Sequence, residues 1–420
     1  MKRFLLLFIL FVRQVSAQTI DHLSLTQAYD LAQKNYPAIK QKALVEQTEN
    51  ITIENLQKGY LPQFSLNGQA SYQSDVTGFN LTFPGINIFP PDKDQYRVVA
   101  DLNQIVYDGG MIRQQKQAAQ FNAEVEQQKV EVELYQLKGR INQVYLGVLF
   151  IDEQIRQTDL TRHDVLVGIK QVDAQVKNGV AFKSSLNVLK AQLLQIDQRF
   201  IELRATRKGL IQTLGLFVNQ PLNDTAVFER PLVTVTLDSA ISRPELKLYD
   251  DQSQLILQQN KLVTAKNIPK VSLFAQGGYG KPGLNLLKNQ FDWIWLGGVR
   301  LNWPLGGLYT LKKDKQLNEV NKEIVGIQKE TFLLNTNTTL KAQESEIEKY
   351  VQLIATDEAI IDLREQVKKA GQAQLENGVI TADDYLREVN NEALARQALI
   401  VHQIQLLQSQ INYQTTLGKQ

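Results

Sequence analysis

The chain states one pattern twice. Pro37 lies in Asn35-Tyr36-Pro37-Ala38-Ile39-Lys40 and Pro244 in Ser242-Arg243-Pro244-Glu245-Leu246-Lys247, and each is followed 25 residues later by a second proline. Around those, Leu61-Pro62-Gln63-Phe64-Ser65-Leu66 matches Ile268-Pro269-Lys270-Val271-Ser272-Leu273. Farther on, Leu102-Asn103 and Gly109-Gly110 are echoed by Leu301-Asn302 and Gly306-Gly307. Lys177-Asn178-Gly179-Val180 is echoed by Glu376-Asn377-Gly378-Val379, and Gln212-Thr213-Leu214-Gly215 by Thr415-Thr416-Leu417-Gly418. Landmarks repeated in one order mean two copies of one unit. The copies are clearest over 23–220 and 241–418, which divides the chain into repeats of 18–220 and 221–420.

Each copy has one layout. A helix begins near the first proline, whose missing N–H is harmless in a first turn. In copy one another helical stretch, Leu25 to Gln33, precedes it. The second proline ends the helix and begins a strand. Phe64, Leu66, Gly68, Ala70 and Tyr72 alternate with Ser65, Asn67, Gln69 and Ser71, the period-two pattern of a strand with one apolar face. In the next strand Tyr96, Val98, Ala100 and Leu102 oppose Arg97, Asp101 and Asn103, with Val99 the exception. Copy two repeats this with Val271, Leu273, Ala275 and Tyr279 against Ser272, Gln276 and Gly278, Phe274 being the exception. Its partner carries Trp293, Trp295, Val299, Leu301 and Trp303 against Arg300 and Asn302. The expected strands are about 62–73, 96–107, 270–280 and 293–303.

The segments after each strand pair are helical. From Val130 the apolar positions are Val130, Leu134, Leu137, Ile141, Val144, Val148, Ile151 and Ile155, alternating steps of four and three that specify coiled-coil packing. The seam resumes after Gly179 through Leu186, Leu189, Leu193, Ile196, Phe200, Leu203 and Leu210. Gly110 to Gly179 is 69 residues and Gly307 to Gly378 is 71. At about 1.5 Å per residue each makes a rod of roughly 100 Å. Asn-Gly at 178–179 and 377–378 supplies the left-handed turn by which each rod folds back.

Four strands with an aromatic and aliphatic face fit either a sheet packed on its own helices or a share of a membrane β-barrel. The helices are far too long for such a sheet to cover, which favours the barrel. Tyr60, Tyr72, Tyr96, Tyr107, Tyr279, Trp293, Trp303 and Tyr309 stand near strand ends, where an interfacial girdle belongs. In hydrocarbon every backbone N–H and C=O needs an internal partner, so open sheet edges are excluded. Four strands are too few to close, since the smallest such barrels have about eight. The chain must pool its strands with copies of itself: two copies give eight, three give twelve. The polar inward residues Arg97, Asp101, Asn103, Arg300 and Asn302 favour a wet lumen, and so the larger ring.

Residues 1–17 read as a secretory signal: Lys2-Arg3, an apolar run from Phe4 to Val12, then Val15-Ser16-Ala17. The run is too short to cross a bilayer as a helix. With no cysteine the chain has neither disulfides nor thiolate metal sites. With 46 basic and 44 acidic residues it lacks the basic surplus that nucleic-acid binding needs. His22, His163 and His402 are scattered and read as surface residues, so no metal or other cofactor is expected. Gly277-Gly278-Tyr279-Gly280 ends a strand rather than cradling phosphate. Ser74 to Gln95, with Phe79, Phe83 and Phe89, reads as a long loop over the pore mouth.

These features together resemble the TolC-like outer membrane factor family, over essentially the whole mature chain. The resemblance is carried by Leu25-Thr26-Gln27-Ala28, Tyr60-Leu61-Pro62, Ile105-Val106-Tyr107-Asp108-Gly109-Gly110, Asn178-Gly179-Val180 and Asn377-Gly378-Val379-Ile380-Thr381. It implies a mainly α protein of two tandem repeats whose long helical hairpins form an α-barrel. It also implies a homotrimer with a twelve-stranded barrel in the outer membrane of a Gram-negative bacterium, and a large periplasmic portion. The implied partners are a periplasmic adaptor, an inner-membrane pump or transporter, and outer-membrane lipid. The implied role is the exit duct of a tripartite efflux or type I secretion system, with no enzymatic activity.

Carried over by position, adaptor docking falls on Asn178, Gly179, Val180, Asn377, Gly378 and Val379, and a gate on Asp384 with Asp383 beside it. The second acidic gate position falls on Arg387, the basic partner on Ile380 and the acid of copy one on Ser185, so the family's ionic latch is not reproduced here. The girdle residues are Tyr72, Tyr96, Tyr279, Trp293, Trp295 and Trp303. A periplasmic coiled-coil adaptor or structural protein of the cell envelope is the other class weighed, and the duplicated amphipathic strand pairs argue against it.

Overall fold

A computed structural model describes residues 20–76, 90, 92–233, 240–285 and 288–419. The expected signal and the loop residues Phe79, Phe83 and Phe89 lie outside them. In chain order the elements are β1 (Ile20–Leu23), α1 (Leu25–Asn35), α2 (Ile39–Gln57), β2 (Gln63–Tyr72), β3 (Asp94–Tyr107), α3 (Met111–Lys177), α4 (Lys183–Val218) and β4 (Leu222–Phe228). Then follow α5 (Pro244–Lys266), β5 (Lys270–Lys281), β6 (Asp292–Asn302), α6 (Leu308–Glu376) and α7 (Ala382–Leu417). The four barrel-type strands and both long helices thus fall within two residues of their expected bounds. No helix among the described residues is long and apolar enough to cross a membrane.

The described residues form two compact units, one drawn from 20–39, 131–244 and 332–419 and the other from 40–130 and 245–331. Each unit draws on both repeats.

In the second unit β2, β3, β5 and β6 make one antiparallel sheet in that order. Tyr72 pairs with Asp94 and Gln63 with Asn103; Asp101 pairs with Gln276, and Lys270 with Asn302. This register puts the apolar sets on one face. There Phe64 is 72% exposed, Leu66 69%, Trp295 80% and Val299 67%, so no element among the described residues covers it. β2 and β6 are the sheet's open edges. Each of these strands meets its helix at one end of the sheet, and the ends Tyr72, Asp94, Lys281 and Asp292 lie at the other.

The sheet-to-helix crossings differ although both carry Gly-Gly. Gly109 and Gly110 take φ of +70° and +79°, which L-residues rarely adopt. Asp108 closes that turn, accepting from the Gly110 and Ile112 amides at 2.8 and 2.7 Å, and so caps α3. Gly306-Gly307 instead lies in a single 3₁₀ turn. There a Cβ on Gly307 would meet the Asn267 side chain at 2.0 Å, so Gly307 serves close approach rather than left-handed backbone, while Gly306 has open space.

The first unit is built on the heptad seams. Leu137, Ile141 and Val148 of α3 and Ile211 and Leu214 of α4 bury with Ile404, Leu407 and Ile411 of α7 in one core. Against it sits a two-stranded parallel sheet, β1 with β4, which sequence periodicity did not reveal. The Tyr145 hydroxyl, fully buried, lies 2.8 and 2.7 Å from the carbonyls of Leu23 and Glu229 and ties both strands to α3.

Candidate functional site: the sheet faces and the hairpin turns

The sheet has two chemically opposite faces. On the first, Tyr72, Tyr96, Tyr279 and Trp293 gather at the loop end, where Tyr279 stands 5.6 Å from Phe291 and 5.3 Å from Trp293, ring centre to ring centre. Trp295 is one pair further in, opposite Gly277. Trp303 follows the last residue of β6 at the helix end and donates its indole N–H to the Asn267 carbonyl at 3.2 Å. Ten residues separate Trp293 from Trp303, roughly 33 Å along a strand. At the 35–45° tilt of membrane barrels that projects to about 25 Å, the height of their apolar band.

The opposite face carries Arg97, Asp101, Asn103, Arg300 and Asn302 together, as the pairings require. Asp101 accepts from Asn67 at 2.6 Å and from Gln276, a chain of hydrogen bonds across three strands. The apolar exceptions are accommodated there: the Arg300 guanidinium lies 4.7 Å over the Phe274 ring, and Val99 packs where Gly278 has no side chain.

At the far ends of the long helices the two hairpin turns share one backbone. Asn178 and Val180 donate to the carbonyls of Ala174 and Gln175, while Asn377 and Val379 donate to those of Ala373 and Gln374. Gly179 and Gly378 take φ of +75° and +69°. Val180 and Val379 are 72% and 71% exposed.

Asp384 works locally. Its amide bonds the Thr381 hydroxyl at 3.2 Å while its carboxylate accepts the Thr381 amide, a reciprocal cap on α7. Arg387 approaches the same carboxylate at 3.2 Å. The Thr381 hydroxyl and amide, then Arg387, hold the Asp384 carboxyl below the ordinary carboxylate range. Asp383 shares this first turn, where the helix dipole favours acids.

A set of charges between the helices had no signature in the sequence beyond one i,i+4 pair. Glu392 of α7, 2% exposed, pairs with Lys368 of α6 at 2.8 Å and Arg396 at 2.5 Å. Lys368 reaches on to Asp164 of α3 at 2.7 Å, and Arg396 to Glu365 at 3.1 Å. Burial pushes the Glu392 carboxyl up, but Lys368 and Arg396 outweigh it and hold it low. Burial likewise lowers Lys368, and its two carboxylates outweigh that and raise it. Tyr385, 1% exposed, packs beside this set with its hydroxyl 3.2 Å from the Asp164 carbonyl. Burial, then the charge of Asp164, pushes its hydroxyl up to about 12. His402 corrects the surface reading: it is part-buried, 2.5 Å from Asp357 across two helices, whereas His22 and His163 are exposed.

A family model described as outer membrane efflux protein matches residues 28–217. No curated protein matches the chain in sequence. The outer membrane protein VceC of Vibrio cholerae is similar in structure, with a TM-score of 0.67 and 16% identity, over 94% of this chain and 96% of that one. The outer membrane channel CmeC of Campylobacter jejuni gives 0.63 and 14%, over 94% and 85%. The open state of the outer membrane channel MtrE of Neisseria gonorrhoeae gives 0.66 and 13%, over 94% and 89%.

Proposed function

We propose that this chain, whose residues 28–217 match the outer membrane efflux protein model and which shares the fold of these channels, is the outer-membrane exit duct of a tripartite export system. It conducts cargo passively from a periplasmic adaptor and inner-membrane pump to the outside. The observation that carries this is the uncovered aromatic and aliphatic face of a sheet with two open edges. Such a face suits lipid, and such edges cannot stand in lipid unpaired.

Copies of the chain complete the sheet. Its four strands alternate in direction, so β6 of one copy meets β2 of the next antiparallel, and three copies close a twelve-stranded ring around the face bearing Arg97, Asp101 and Arg300. The elements continuous with the open edges support this. α2 leads into β2 and has no buried residue, and α6 leaves β6 with Leu317, Val320, Ile324 and Ile327 exposed at heptad spacing.

Asn178, Gly179, Val180, Asn377, Gly378 and Val379 form the adaptor-facing tips. Asp384, with Asp383 and Arg387 beside it, gives the tunnel end its cation preference. Purification in detergent tests the reading: heat-resistant trimers that form conducting pores in planar bilayers and retain an adaptor from envelope extracts support it. A water-soluble monomer without pore activity refutes it.

A further inference from the structure

The two hairpin turns have matching backbones and opposite side chains. Position 381 holds Thr381, which caps α7 in a complete reciprocal box. The equivalent position in the first turn holds Phe182, which begins α4 with no side-chain cap and is 82% exposed. A phenylalanine there forfeits the cap and places a large ring in water, two losses that its own repeat shows to be avoidable. Val180, equally uncovered, stands two residues before it. The charges diverge as well. Residues 173–190 contain Lys177, Lys183 and Lys190 against Asp173, a net +2, whereas 372–389 contain Glu376, Asp383, Asp384 and Glu388 against Arg387, a net −3.

We infer that adaptor docking is asymmetric between the repeats. The α3–α4 turn is the anchor, with Phe182 and Val180 as an apolar knob inside a basic collar, and it fits a partner surface bearing an apolar notch flanked by carboxylates. The acidic α6–α7 turn repels that surface, so the two turns of one chain are not interchangeable docking sites. Exposed aromatics of this kind are the usual energetic centre of an interface, and the basic collar sets orientation and encounter rate.

The inference rests on the exit-duct reading, and the experiment separates the two. The adaptor retained by the wild-type trimer from envelope extracts is purified and titrated against immobilised trimers of the full chain. Phe182→Ala is expected to weaken binding roughly thirtyfold, the scale of an aromatic hot spot. Phe182→Leu should keep most of the affinity, Thr381→Ala should stay within about twofold, and Lys183→Glu should weaken binding and flatten its salt dependence. Phe182→Ser controls for folding, because it restores a cap: trimers that melt no lower than wild type yet bind weakly support the inference. Phe182→Ala binding like wild type, or Thr381→Ala losing more than Phe182→Ala, overturns it while leaving the duct intact. A wild-type trimer that retains no adaptor overturns both.

Discussion

Val299 and Arg300 are neighbours in β6 with opposite duties, and exchanging their chemistry measures which face meets lipid. Val299 points to the exposed apolar face, 67% exposed, and lies near the middle of the stretch between Trp293 and Trp303. An arginine at that depth on a lipid face costs about 2–4 kcal/mol, roughly a thirty- to thousandfold loss in the folding equilibrium. Tyr72, 78% exposed on the same face but at the loop end, stands at interfacial height if this face meets lipid, and Tyr72→Arg should then cost only about 0–1 kcal/mol. The chain already tolerates an arginine one residue beyond Val299, on the other face. Urea titration of protein refolded in phosphatidylcholine vesicles, read by tryptophan fluorescence, gives both differences without altering any tryptophan. Equal costs for Val299→Arg and Tyr72→Arg would refute the assignment of this face to the bilayer.

Gly109→Ala and Gly110→Ala should separate sharply. A Cβ at Gly109 meets Ile268 at 2.8 Å, while at Gly110 it meets nothing within 4 Å, so the second should cost only about 1 kcal/mol for its left-handed backbone, by thermal melting of the purified protein. Glu392→Ala leaves Lys368 and Arg396 without their buried carboxylate and should destabilise by roughly 3–5 kcal/mol, whereas a well-packed apolar replacement of all three charges should cost less. Because Glu392 is held below its ordinary 4.5, its stabilisation is complete above that pH and disappears as pH falls through the lowered value; Lys368, held above 10.5, loses its share only as pH rises through the raised one. Melting temperature should therefore be flat in this respect at neutral pH and fall at both extremes, and Glu392→Gln should remove Glu392's share of the acid fall while that of other lowered carboxylates such as Asp384 remains. Thr381→Ala should cost about 1 kcal/mol and speed amide exchange at the start of α7.

What the sequence made legible were the features that local physics writes into adjacent residues. Alternation at Phe64 to Tyr72 sets a strand and both its faces, and steps of three and four from Val130 set a helix and its buried stripe. Asn-Gly at 178 and 377 sets a left-handed turn. Pairings between distant segments left little trace. β1 is four residues long and finds β4 some two hundred residues later, held by Tyr145, so no period announces it. Lys368 and Asp164 pair across helices, and only Glu392 with Arg396 lies at a spacing that sequence reading can test. His402 looked solitary for the same reason, since Asp357 is 45 residues away. Phe182 was legible only by contrast with Thr381, once the two turns proved to share one backbone.

The most direct measurement uses the absence of cysteine in the native chain. Single cysteines placed along the outer edges of β2 and β6, in pairs such as Leu66→Cys with Gly297→Cys or Val299→Cys, are oxidised in the membrane and separated without reductant. Edge-to-edge closure gives a ladder ending at three linked chains, with pairs on β3 and β6 giving none. Chains that stay single for every β2–β6 pair, and that remain dispersed in buffer without detergent, contradict it.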